Sequence, residues 1–407
     1  MNKDTRSGNF SLSNHGLLPQ EEMLEVGKKR KKLTIGIPCE DPKQENRLAL
    51  TPEAIDLLIS NGHEVLIEKG AGKNASYSDM DFSEKGGFIV DTNEKVYEAD
   101  VILKVAPLTL KEIDLLRGQQ LVFSSLQIVR QSENIIRALV QKKITAIAFE
   151  NIMDKHNLYP VVRSMSEIAG ITSVLVAAEY LSNVRGGKGV MLGGITGITP
   201  AEVVILGAGT AAEYATRAAL GLGATVKIFD QSVHRLREIQ NLTGHRLQTS
   251  VFHPQVLEKN LKSADVVIGA SNLPGGEGVH YYITEDMVKV MKKGSVIVDI
   301  SIDQGGCVET SEYRTLKDPV FEKHGVVHYS VSNIPSRVAR TASIALSNVF
   351  VPILLELGES GGLQAHLKEN KGLRKGVYLF NGILTNSIIG DKFGILSKDI
   401  DLLLAAF

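Results

Sequence analysis

The 407-residue chain is too long for one ordinary domain and fits two or three. Its 43% hydrophobic and 22% charged residues form a globular balance, and a net charge of -1 leaves no basic field for nucleic acid or an acidic membrane. Two cysteines, Cys39 and Cys307, make no disulfide framework and read as free thiols of a reducing, cytoplasmic compartment, and no uninterrupted apolar stretch is long enough to span a bilayer.

Residues 1–32 read as a flexible extension. Met1–Leu17 is rich in Ser, Asn and Gly, Gln20–Val26 suits one short helix, and Lys28, Lys29, Arg30, Lys31 and Lys32 form a basic run. Without an apolar core the segment is expected to be a solvated tail, not a secretory signal. From Leu33 onward strands alternate with helices. Leu33–Ile37 is a strand, and Thr51-Pro52-Glu53 starts a helix by capping, by proline in the first turn and by an acid at the positive dipole end. Further strands are expected at His63–Glu68, Asp100–Val105, Gln120–Ser124 and Ile144–Phe149, with a helix over Glu133–Lys142. Ser166–Asn183 has helical spacing of Ile168, Ile171, Leu175, Ala178 and Leu181. After glycine-rich Gly186–Gly197 a second alternating block holds strands at Val203–Leu206, Thr225–Phe229, Asp265–Gly269, Ser295–Ile300 and Val326–Val331. Thr341–Glu356 is helical, and a polar tail ends in a last helix. The pattern predicts an α/β chain of two Rossmann-like, doubly wound, mostly parallel sheets with a cleft between them. The expected division is 33–164 with 340–407 for a substrate domain and 165–339 for a dinucleotide-binding domain.

Val203-Val204-Ile205-Leu206 is apolar throughout, as a strand buried on both faces requires. Gly207-Ala208-Gly209-Thr210-Ala211-Ala212 follows and opens a helix. Gly207 allows the sharp turn, Gly209 lets backbone approach a pyrophosphate, and Ala212 is small enough for helix–strand packing. Thr210 and Ala211 begin the helix whose free N–H groups would meet the phosphates. Asp230 closes the next strand, where an acid binds the adenosine ribose hydroxyls and repels a 2′-phosphate, so the cofactor reads as NAD. Arg235 and Arg237 are expected to face solvent or the adenine edge.

Several separate motifs resemble one family, that of alanine dehydrogenase and the NAD-binding domain of proton-translocating transhydrogenase. They are Glu45-Asn46-Arg47 before Thr51-Pro52, Gly62-His63-Glu64-Val65 with Lys69-Gly70-Ala71-Gly72, Ile102-Leu103-Lys104-Val105, and Met165-Ser166-Glu167-Ile168-Ala169-Gly170. The dinucleotide turn, Val298-Asp299-Ile300-Ser301-Ile302-Asp303-Gln304-Gly305-Gly306 and Asn333-Ile334-Pro335-Ser336 complete the set. The span Leu242–Lys262 leaves no room for the long mobile insertion of transhydrogenase, and Asp303 stands where dehydrogenases carry an acid. Asn333 to Ala339 looks more like transhydrogenase. The resemblance implies a cytoplasmic, NAD-dependent oxidative deamination of a small L-amino acid, L-alanine to pyruvate and ammonia. It also implies a homo-oligomer, a hexamer, with no membrane or nucleic-acid partner and no metal.

By the same resemblance Arg47 grips the substrate carboxylate and Lys104 binds the carboxylate or oxo group. Asp303 orients or deprotonates the attacking water and the amine, and Met165, Ser166, Ala270 and Asn333 contact the nicotinamide. On local sequence alone Arg47 suits the surface better than a clamp, while Lys104 equally suits a snorkelling strand end and Asp303 a turn cap. One departure stands out. Gln127 occupies the position of a histidine that shares in proton transfer, and an amide does not titrate near neutral pH. Three functions therefore stay open: the dehydrogenase, a transhydrogenase-like NAD(H) subunit, and a non-catalytic NAD-binding homologue.

Overall fold

A computed structural model describes residues 30–128, 130–271 and 281–405. The helix expected at Gln20–Val26 lies outside the described residues. Six strands come first: β1 (Thr34–Ile37), β2 (Glu64–Glu68), β3 (Phe88–Val90), β4 (Val101–Leu103), β5 (Leu121–Ser124) and β6 (Thr145–Ala148). Seven follow in a second block: β7 (Glu202–Leu206), β8 (Thr225–Phe229), β9 (Gln248–Ser250), β10 (Val266–Gly269), β11 (Val296–Asp299), β12 (Val320–Lys323) and β13 (Val326–Tyr329). The chain then returns with β14 (Val377–Phe380) and β15 (Ile383–Leu384).

The first sheet has the order β15-β14-β6-β5-β4-β1-β2-β3 and the second β12-β13-β11-β10-β7-β8-β9. Strands β1 to β6 run parallel, and β14 and β15 add antiparallel at one edge. In the second sheet only β12 is antiparallel. The strand order therefore reverses between β1 and β4 in one sheet and between β7 and β10 in the other. Each reversal splays the following loops apart and opens a crevice at the carboxyl ends of the strands, where open α/β sheets bind ligands. The central strands are buried on both faces, as in β5 and β10.

Two long helices tie the sheets together. Pro160–Leu181 begins at proline instead of at Ser166, because proline suits the first helical position. Its Val161 packs in the core of the first sheet and its Ala169–Leu181 portion in that of the second. Ala339–Glu359 buries Leu346, Phe350, Leu354 and Leu357 against the first core. The first, and the longer stretch Ile334–Glu359 that contains the second, have the length and composition of a membrane span, yet each is about half buried within the fold.

The expected polar tail is corrected by β14 and β15. They join at Asn381-Gly382, both at positive φ, a pair that favours a two-residue hairpin turn. Val377-Tyr378-Leu379-Phe380 is buried throughout, which fits a strand covered on both faces. Short β3, β9 and β12, also not anticipated, lie at or next to sheet edges where apolar patterning is weak. Thr51 precedes its helix without a side-chain cap; instead its N–H donates to Ser347 Oγ at 2.9 Å.

Candidate active site between the two sheets

The dinucleotide turn leaves β7 at Gly207, whose φ of +104° suits glycine. A side chain there would meet the Ala270 carbonyl at 2.5 Å, so the loops after β7 and β10 touch at the reversal point. Gly209 precedes the Thr210–Gly221 helix, and no side chain caps that helix. In front of Gly209 a Cβ would meet nothing within 4 Å. The helix therefore starts uncapped beside open space at Gly209, the arrangement a pyrophosphate needs. Ala212 is fully buried against the sheet. Asp230 is 5% exposed, and its carboxylate first braces the turn: one oxygen accepts from Ala208 N at 2.8 Å and the other from Ser232 N at 2.7 Å. Each oxygen retains a second lone pair for a ribose hydroxyl. These residues fit the adenosine and pyrophosphate of NAD.

Gly170 brings the Pro160–Leu181 helix against this turn. A Cβ there would stand 2.3 Å from the Ala211 carbonyl oxygen. The close approach carries Met165 and Ser166, one turn earlier, toward the cleft; both are half-buried.

The opposite wall comes from loops after β1 and β4. Arg47 donates Nε and Nη2 to the two oxygens of Glu45 at 2.8 and 2.7 Å, a bidentate pair with side chains only 10% and 4% exposed. Its Nη1 points to Met165 Sδ at 3.2 Å. Burial pushes the Glu45 carboxyl up, but the Arg47 guanidinium outweighs it and holds the acid below the usual range. Asn333, at positive φ after β13, donates its side-chain N–H to the same Glu45 oxygen. Asn46 N donates to Ser336 Oγ, and Leu48 N to Ser343 Oγ, so this loop is strapped along the start of the second long helix.

Lys104 is 4% exposed and ion-paired to Glu40 at 2.6 Å and Glu112 at 3.5 Å. Burial would strip its proton, yet those two carboxylates outweigh the burial and hold the ammonium above its ordinary range. Glu40 also accepts from Val105 N, which fixes the loop leaving β4. Asp303 lies in the 3₁₀ turn after β11 and remains solvent-accessible. The facing loops partly desolvate its carboxyl and raise it above the usual range, against a Ser332 hydrogen bond and the Arg47 charge. Arg47, Asp303, Asn333 and Met165 are thus one cluster, with Lys104 joined to it through Glu40, whose charge Arg47 also feels.

Two models of one family match nearly all of this frame: the alanine dehydrogenase/PNT N-terminal domain over residues 36–169 and the C-terminal domain over 173–387. The chain belongs to the alanine dehydrogenase/PNT family. An alanine dehydrogenase of Staphylococcus saprophyticus is 39% identical over 370 residues, 91% of this chain and 99% of that protein. Alanine dehydrogenase 2 of Staphylococcus aureus is 38% identical with the same coverage. Among solved structures, an L-alanine dehydrogenase superposes with a TM-score of 0.83 at 35% identity, covering 89% of this chain and 99% of that one. A transhydrogenase from Sinorhizobium meliloti shares the fold, with a TM-score of 0.73 at 24% identity.

Within this family member, Gln127 stands apart from the cluster. It is exposed at a φ of +47°; among the described residues its side chain reaches Ser125 Oγ at 3.5 Å, and its N–H donates to Glu150 at 3.2 Å. From the same loop, Arg130 crosses to the second sheet's side, stacking 4.0 Å from the Tyr313 ring centroid, and its charge acts on Asp303. Sequence reasoning assigned no role to Glu40, Glu45, Glu112 or Arg130. Glu45 alone left a signal, two residues before Arg47 in a quoted motif. Asp299, four residues before Asp303, is fully buried and accepts from Ser301 N and Cys307 N, so it braces its loop.

Proposed function

We propose that the chain catalyses NAD-dependent oxidative deamination of L-alanine: alanine, NAD⁺ and water give pyruvate, ammonium, NADH and a proton. The observation that carries this reading is the meeting of Arg47, Asp303 and Asn333 across the cleft, beside a turn built for a dinucleotide. Gly207, Gly209, Thr210, Ala211 and Asp230 would hold the adenosine and pyrophosphate, and Met165, Ser166, Ala270 and Asn333 the nicotinamide end. NAD, when bound, supplies the hydride acceptor.

The chain's own groups do the rest. Arg47 keeps Nη1 and part of Nη2 free of Glu45, so it offers donors to a substrate carboxylate without leaving its brace. Lys104, held protonated by Glu40 and Glu112, places positive charge where a carbonyl oxygen develops. Asp303 accepts a proton from the amine or from the attacking water. Gln127 contributes hydrogen bonds only, which leaves the acid–base work to Asp303. The first sheet with its C-terminal strands serves as the substrate domain and the second sheet as the NAD-binding domain. We further read the protein as a cytoplasmic homo-oligomer, a hexamer by resemblance. Apolar side chains left in solvent support association, among them Leu175 at 51% and Met191 at 71% exposed.

The test is an assay of purified protein with pyruvate, ammonium and NADH. Steady loss of NADH is expected. No loss across the pH range sinks the enzyme reading, and tight NADH binding without turnover leaves the non-catalytic one.

A further inference from the structure

We infer that Glu45 is a positioning residue that makes the substrate clamp and the nicotinamide contact depend on each other. One carboxylate serves both. Its Oε1 accepts from Arg47 Nε and from Arg47 N at 2.9 Å, and its Oε2 accepts from Arg47 Nη2 and from Asn333 Nδ2. Arg47 belongs to the loop after β1, and Asn333 to the loop after β13 of the other sheet. Glu45 therefore bridges the two walls of the cleft with a charged group that is 4% exposed.

The chemistry of the acceptor gives the bridge its effect. A carboxylate only accepts, so it meets the NH₂ side of Asn333 and leaves the amide oxygen turned away as an acceptor. The same carboxylate holds the guanidinium in plane and aims its remaining N–H groups elsewhere. Asn333 has left-handed backbone, φ +70°, and leads into a 3₁₀ turn whose Ile334, Pro335 and Ser336 are buried, which limits its freedom. A ligand that draws on Asn333 alters what Oε2 can give to Arg47, and a ligand on Arg47 alters what Oε2 gives to Asn333. Such reciprocity is a coupling free energy between two sites.

The inference rests on the reading of Arg47 and Asn333 as substrate and cofactor contacts. Its test measures NADH affinity by fluorescence titration, with and without saturating oxamate, an oxo-acid isostere. The wild-type protein is expected to bind NADH more tightly with oxamate by roughly five- to 100-fold. Glu45→Gln, which puts a donor against Arg47 or Asn333, is expected to weaken NADH binding as well, and the ratio of NADH affinities with and without oxamate is expected to fall toward one. A Glu45→Gln protein that keeps the full oxamate effect overturns the inference, as does one that loses NADH and oxamate binding in equal proportion with coupling intact. If Glu45→Gln fails to fold, Glu45→Asp takes its place: it keeps the charge but is one methylene short of spanning both partners. Reduced coupling supports the bridge there and wild-type coupling overturns it. A wild-type protein that binds NADH but neither oxamate nor pyruvate overturns the substrate reading itself, a result distinct from an uncoupled variant of an active enzyme.

Discussion

At the scale of single residues, the site is a set of cations already paired with acids. Arg47 rests on Glu45 and Lys104 on Glu40, so neither cation is lost to burial, and both keep their charge for an incoming carboxylate. Asp303 differs: among the described residues no ion pair holds its carboxylate, and partial desolvation raises it. This sets a pH dependence. A base acts only when ionised, so alanine oxidation should fall as pH drops through a value above the ordinary aspartate range of about 3.9. Asp303→Asn should lower kcat by about 10²- to 10⁴-fold and erase that acidic limb. Gln127→His should add a second limb near about 6.5, which the wild-type glutamine cannot give. A wild-type limb that survives Asp303→Asn in the pH–rate profile would contradict the assignment of the base.

At the scale of elements, one close approach orders the cofactor half of the cleft. The Pro160–Leu181 helix meets the Thr210–Gly221 helix at Gly170, where the Ala211 oxygen and Ala215 nitrogen leave 2.3 and 2.9 Å for a Cβ. Both obstacles are backbone, so the helices must part to admit even alanine. Gly170→Ala is expected to cost about 1–3 kcal/mol, as overpacked sites do. Because Ala211 belongs to the dinucleotide turn, NADH affinity should weaken with it. Thermal denaturation and NADH titration of the variant check both, and an unchanged dissociation constant would separate the packing from the cofactor site. The glycine of Met165-Ser166-Glu167-Ile168-Ala169-Gly170 was visible as part of a motif, but helical periodicity gave no hint of which helix it faced.

At the scale of the whole molecule, the Pro160–Leu181 helix runs from one core into the other, and the Ala339–Glu359 helix packs against it and the first core. The Pro160–Leu181 helix keeps apolar side chains in solvent: Ile171 at 42% and Leu175 at 51% exposed lie four residues apart and so share a face. If that face covers a second copy, Ile171→Glu with Leu175→Glu should shift the protein to a smaller species in light scattering after size exclusion. A wild-type protein that is already monomeric refutes the oligomer directly.

Features that depend on near neighbours are legible along the chain. Strand Val203–Leu206, the turn at Gly207 and Gly209, and the acid at Asp230 follow one another along the chain, so their spacing encodes their geometry. Alternation of strands and helices likewise made the two parallel sheets legible. The Asn381-Gly382 signal was present too, but two strands of four and two residues are too short for periodicity to declare. Only the tertiary structure decided the pairing of Glu45 with Asn333, 288 residues apart, and of Lys104 with Glu40, 64 apart. It also decided that Gln127 stands exposed while Arg130 crosses the cleft. Such contacts depend on where strand order reverses, and hydrophobic patterning does not record strand order: each buried strand reads alike wherever it sits in the sheet.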